Sequence, residues 1–379
     1  MVTSIAPAAA APLAAPERVE PFRHLGPNWY ACVMGTAIVA NGAGALPVSV
    51  PGQRGFAVGV WALSAVLLLV IMAARTVHLL RYRAEARAQL LDGPAMAVFY
   101  GCPPMALLAV GYGTLTLGRH VIGLEAAVTV DLVLWTVGTL YALVAGYGIP
   151  YLFVVRYQVR PGTADPTWLL PVVAPMVAAA LGPALVPHLP AGAARESMLY
   201  GCYAMFGMSL LATLVLLPGI WTRLVHDKLA PIALTPTLFL VLGPLGQSTT
   251  AVNQLAGAAA DAAPRYAGAM GAFAVLYGVP VMGFAMLWLA IAATANARAL
   301  RRGMPFAMTW WGYTFPVGTC VTGAAALAGR TGLGALTVLA VGLYLLLVTA
   351  WVTAAAHTAY GALSGRLFRP ALGPRPAGP

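Results

Sequence analysis

Long apolar runs separated by short polar breaks fill the chain from about residue 28 to residue 360. Ten runs can be drawn, at roughly 28–48, 55–80, 95–117, 124–155, 167–187, 196–222, 234–256, 266–295, 306–328 and 332–360. Each approaches or exceeds the roughly 20 residues that a helix needs to cross about 30 Å of hydrocarbon. The ten-residue alternation of a membrane β-barrel is absent. The pattern predicts an all-α polytopic membrane protein with ten transmembrane helices over residues 22–365. The Ala/Pro-rich stretch 1–21 and the Pro/Gly-rich stretch 366–379 read as disordered tails.

The runs repeat in pairs. Pro27, Pro94, Pro166, Pro236 and Pro305 stand near the starts of the odd-numbered spans, at intervals of 67, 72, 70 and 69 residues. Proline suits a first helical turn, whose N–H groups have no partner within the helix. A steady period of two spans predicts five tandem helical hairpins. Pro104, Pro175, Pro244 and Pro316 follow their opening prolines by 10, 9, 8 and 11 residues. At about 1.5 Å per residue this is about 12–17 Å deep, near mid-membrane. Gly35 takes that place in the first span. Broken backbone at that depth is tolerated against protein or a water-filled cavity. The odd spans are therefore expected to line a central pore, with the even spans outside.

Composition narrows the function. Sixty per cent of residues are hydrophobic and 8% are charged, against about 25% charged in a soluble domain. A soluble enzyme is excluded. The net charge of +11 comes from residues scattered between spans, so no nucleic-acid face is implied. Fifteen Lys and Arg residues fall on the N-terminal flank and in the connections after even spans, and five fall on the opposite side. This bias predicts cytoplasmic termini. The Arg and Ala usage suggests a bacterial cytoplasmic membrane. Cys32, Cys102, Cys202 and Cys320 lie within apolar spans and read as packing residues. No metal-ligand cluster, phosphate-binding loop or nucleophile elbow occurs. Neither a cofactor nor an enzymatic reaction is implied; a membrane sensor or an intramembrane enzyme is the alternative of another class.

Two segments carry a family resemblance. Gly26–Pro47, GPNWYACVMGTAIVANGAGALP, and Thr309–Pro316, TWWGYTFP, resemble the first- and ninth-helix motifs of the tellurite-resistance/dicarboxylate transporter (TDT) family. That family includes the tellurite-resistance protein TehA, fungal malate permeases and sulfite exporters, and plant slow anion channels. Gly243–Gly246, GPLG, is a weaker match. The resemblance implies ten helices, a pore lined by odd helices, a homotrimer and a small anion as the partner. Malate-like dicarboxylates and sulfite- or tellurite-type oxyanions are the implied substrates, and a passive channel for chloride- or nitrate-like ions is the alternative. It also implies that Phe315 plugs the pore as a gate. Its place ten residues past Pro305 puts it near the midplane.

Other candidates come from residue chemistry. Gln247, Ser248 and Thr249, with Thr250, follow the breaks at Gly243 and Gly246. They offer neutral donors that could replace part of an anion's hydration shell, or they bond between helices. Thr36, Asn41, Thr314 and Thr319 share both readings. Arg54, Arg119, Arg195, Arg265 and Arg330 fall one per external turn. They are read either as an outer-mouth ring that steers anions or as interfacial anchors. Arg75 lies near the end of the second span and is expected to reach the interface. Asp131 is deep in the fourth span, where a charge costs about 2.5–3.5 kcal/mol on insertion scales. Asp131, which could pair with an arginine, and Arg75 are the candidates for a buried ion pair or for proton coupling.

Overall fold

The computed structural model describes residues 22–229 and 231–368. Ten main helices carry the fold among the described residues. They are α1 (Tyr30–Ala45), α2 (Gln53–Arg81), α3 (Pro94–Ile122), α4 (Leu124–Val155), α5 (Pro166–His188), α6 (Ala193–His226), α7 (Ile232–Ala262), α8 (Pro264–Arg301), α9 (Phe315–Thr331) and α10 (Gly334–Leu363). Eight are long and apolar enough to cross a membrane. The exceptions, α1 and α9, have 16 and 17 residues, fewer than the roughly 20 that a crossing needs. Each follows a 3-10 turn, Pro27–Trp29 and Met308–Tyr313. The ten predicted spans thus become ten helical segments, eight of them spans by length. The expected tail 1–21 and residues 369–379 lie outside the described residues, while Arg366–Phe368 forms a 3-10 turn.

The helices pair as five consecutive hairpins, and the odd helices form a ring. α1 packs on α3, α3 on α5, α5 on α7 and α7 on α9, and α9 returns to α1. Each even helix packs on its own hairpin partner and on the next odd helix, with α10 closing onto α1. Burial follows this order. In their most apolar stretches, α3, α5 and α7 are 72–94% buried, whereas the even helices are 17–33% buried. Leu69, Val144, Val215, Leu276 and Val338, one on each even helix, are exposed. An apolar outer belt of this kind suits hydrocarbon.

Three of the four mid-span prolines stand just after 3-10 backbone. Val98–Gly101, Ile232–Val241 and Met308–Tyr313 are 3-10 stretches, and α-helix resumes at Cys102, Leu242 and Phe315. Pro104, Pro244 and Pro316 therefore sit in the first turn of the resumed helix, where a missing N–H costs no bond. Pro175 is the exception, inside the continuous helix Leu169–Leu181. Of the opening prolines, Pro27, Pro94 and Pro166 start helical turns. Pro236 is inside a 3-10 stretch, and Pro305 precedes one.

Polar side chains join the two layers. Indole N–H groups of the outer helices donate inward, from Trp61 to Thr114 Oγ1 (3.0 Å), Trp135 to the Ala178 carbonyl (3.0 Å), Trp288 to the Leu238 carbonyl (2.9 Å) and Trp351 to Thr36 Oγ1 (3.1 Å). On α6, Ser209 donates to the Val172 carbonyl instead. The inner helices approach closely at glycines. A Cβ on Gly246 would stand 2.5 Å from the backbone of Thr319 and Cys320 on α9. The four cysteines are free and buried among these contacts.

Arg75 is buried within the protein. Its guanidinium donates to the Leu25 carbonyl, to Gln89 Oε1 (2.8 Å) and to the Tyr100 hydroxyl (2.9 Å). The short helix Arg83–Leu91, placed between α2 and α3, covers this end of α2 and supplies Gln89. The arginine fastens the N-terminal entry, this short helix and α3 together.

Candidate functional site

Two cavities lie along the ring's axis, and Phe315 borders both. The larger, about 260 Å³, lies towards the hairpin turns and receives residues from all five inner helices. Its polar lining is Asn41, Tyr112, Gln247, Thr250, Gln254 and Thr322, and its walls carry no charged side chain. The smaller lies towards the chain termini and is enclosed by Met34, Met105, Leu169, Leu170, Val173, Leu240, Gly243, Phe315 and Pro316. Its volume is about 10 Å³, no more than about one water needs. Phe315 itself is 3% exposed. A polar chamber thus ends at a phenyl ring backed by an apolar constriction.

Beyond the chamber lies a vestibule of about 450 Å³, lined by Asn253, Gln254, Ala326, Gly329 and Arg330. Gln254 and Ala326 line both spaces. Arg330 donates from Nε to Asn253 Oδ1 (2.9 Å) and from Nη2 to the Asn253 carbonyl (3.0 Å). Its charge is held at the chamber's approach.

The eight pore-lining candidates separate by helix face. Asn41 and Gln247 border the chamber, and Gly243 borders the constriction. Thr36 accepts from Trp351 of α10 and so faces the outer layer. Gly246 lies against α9, Ser248 and Thr249 bond back to the Leu245 carbonyl, and Thr314 bonds back to the Trp311 carbonyl. Thr319 bonds back to the Pro316 carbonyl (2.7 Å). Residues 247, 250 and 254 share one helical face, and the intervening positions turn away from it. That periodicity was available in the sequence from Gln247 onward. Tyr112 and Thr322, which sequence reasoning missed, have no comparable local signal.

The five turn arginines do not act alike. Arg330 alone among them lines space continuous with the chamber. Arg54 borders a separate groove of about 430 Å³ beside His120. Arg119 donates to His120 Nε2 (3.3 Å). Arg195 donates to the Leu189 and Pro187 carbonyls (2.9 and 3.2 Å) near the end of α5. Arg265 pairs with Glu196 (3.4 Å) and lies over the Tyr266 ring.

Asp131 is 2% exposed and rests against Gly111 of α3. The expected arginine partner is not there: Arg75 is committed elsewhere, and Asp131 Oδ2 has no hydrogen-bond partner. The space left by Gly111 admits the carboxyl without supplying a cation. Asp131→Asn should therefore leave the unfolding temperature in detergent unchanged or raise it, since no ion pair is lost. A fall of several degrees would reveal a partner that the geometry does not show. Among the described residues, no His, Cys, Asp or Glu group could hold a metal.

A lipid-facing outer layer, a closed inner ring and an axial polar chamber define a membrane protein that passes small solutes. The sequence comparisons give the family. Residues 24–359 match the voltage-dependent anion channel (SLAC1) family, and the chain belongs to it. This establishes the TDT-type relationship and anion transport as its general function. A sulfite efflux pump of Arthroderma otae is 28% identical over 355 residues, covering 90% of this chain and 92% of the relative. A sulfite efflux pump of Trichophyton rubrum has the same identity and coverage. An uncharacterized transporter of Methanocaldococcus jannaschii is 22% identical, covering 93% of this chain and 97% of the relative.

Proposed function

We propose that this protein carries sulfite-type oxyanions across the bacterial cytoplasmic membrane through one central pathway per chain, with Phe315 as the gate. The termini lie in the cytoplasm, and the chains associate as trimers. The observation that carries the reading is the position of Phe315 between a neutral polar chamber and an apolar constriction. Anions gather at the Arg330 vestibule, exchange part of their hydration for neutral groups in the chamber, and stop at the ring until it moves. The sulfite efflux activity named for the fungal relatives supports this choice of anion.

A second reading, a passive channel for chloride or nitrate, is favoured by the lack of an ionisable carrier group at the chamber other than Tyr112. Flux into proteoliposomes, with voltage and pH gradient clamped separately, tests both. Sulfite flux that saturates and exceeds chloride flux supports the first reading. Flux that follows voltage alone, without preference for sulfite, supports the second. In the same assay Arg330→Gln should lower anion flux several-fold at low ionic strength. The deficit should shrink as salt approaches about 1 M, where the screening length falls to about 3 Å. An equal deficit at every salt concentration would remove electrostatic steering from the role of Arg330.

A further inference from the structure

Two amides of the chamber, Asn41 and Gln247, keep a buried oxygen without a partner, but the N–H edge of Asn41 is committed to a backbone carbonyl. The Thr250 and Thr322 hydroxyls bond each other (2.8 Å), and Thr322 also bonds the Thr319 carbonyl (3.0 Å). Thr250 further reaches the Gly246 carbonyl (3.1 Å). Gln254 donates to the Tyr112 hydroxyl (3.3 Å), and Asn41 donates to the Ala109 carbonyl (3.0 Å). Gln247 is 2% exposed, borders the chamber, and has Oε1 without a partner in the protein. Buried side-chain amides are ordinarily bonded. This one is placed for something that enters.

We propose that Gln247 selects singly protonated oxyanions, its amide N–H donating to an anionic oxygen while its carbonyl accepts from the O–H of the same anion. The inference rests on the transport reading above. A primary amide presents one donor and one acceptor on one edge. An anion bearing O–H and O⁻ on a single central atom presents the complementary pair. A fully deprotonated oxyanion has no O–H to give and places an extra charge in a chamber without a cationic wall. Halide and nitrate engage only the N–H edge.

The test uses sulfite, chloride and nitrate flux into proteoliposomes across the second ionisation of sulfurous acid, with protein-free vesicles subtracted. Wild-type sulfite flux should follow the concentration of the monohydrogen anion and fall as pH rises. Chloride and nitrate flux should stay flat. The groups around the chamber that carry charge or titrate are Tyr112 in its wall, Asp131 behind Gly111, and Arg330 in the vestibule. Asp131→Asn and Tyr112→Phe in the same series separate protein titration from that of the anion, and the sulfite profile should persist in both.

Gln247→Met keeps the length and removes both hydrogen-bonding edges. It should lower chloride flux through the lost donor and sulfite flux further, so that the preference for sulfite over chloride falls about tenfold, the effect of the additional lost bond. Sulfite flux that follows the dianion, or an unchanged preference in Gln247→Met, overturns the proposal. Should that variant not fold, the wild-type profiles decide alone. Absence of flux for every anion would instead overturn the transport reading, and this inference with it.

Discussion

Phe315→Ala is expected to raise anion flux about ten- to hundredfold in voltage-clamped proteoliposomes. The ring is nearly inaccessible and stands between the chamber and the constriction. Burying such a side chain is worth roughly 1.5–3 kcal/mol, and in a two-state gate that energy holds the closed position. Truncation removes both the obstruction and the preference. The rise should be shared by chloride and sulfite, because the phenyl ring carries no anion-specific group. Unchanged flux in a folded variant would mean that Met34, Met105 and the leucines of α5 close the path without it.

The largest loss of stability is expected from Gly246→Val. A Cβ there meets the α9 backbone at 2.5 Å, and main-chain atoms cannot rotate aside as a side chain can. Overpacking typically costs about 1–3 kcal/mol. Valine adds two methyl groups where one carbon already collides, so α7 and α9 must separate. The unfolding temperature in detergent should fall sharply, and flux should disappear with the folded fraction. Gly243, one turn earlier, has nothing within 4 Å of its Cβ position. Gly243→Ala should fold normally. Equal stability of the two variants would contradict this account of the α7–α9 contact.

Much of the architecture was legible because it is periodic. The opening prolines mark the hairpins, and the mid-span prolines mark the inner layer. Side-chain direction within that layer was harder to read. A helix buried on all sides has no polar face to orient it, so α1, α7 and α9 offered polar residues without saying which met the axis. Ser248 and Gln247 are adjacent and chemically similar, yet one bonds its own backbone and the other borders the chamber. Asp131 and Arg75 were hard to place for a related reason. Their surroundings come from residues far away in sequence, Gly111 for the first and Leu25, Gln89 and Tyr100 for the second. The inward tryptophan bonds were likewise invisible, since three of the four acceptors are a backbone carbonyl or unremarkable hydroxyls on other hairpins.

The contact between α10 and α1 has a consequence for biosynthesis. Tyr344 donates to the Val39 carbonyl at 3.1 Å, and Trp351 reaches Thr36, so residues more than 300 positions apart close the outer layer onto the ring. A chain emerging from the ribosome can insert four hairpins in order and still present a gap where the fifth belongs. No leak-tight conduit exists until the last membrane segment is released. Premature termination after α8 should therefore yield a product that quality-control proteases clear from the bilayer, rather than a smaller working transporter.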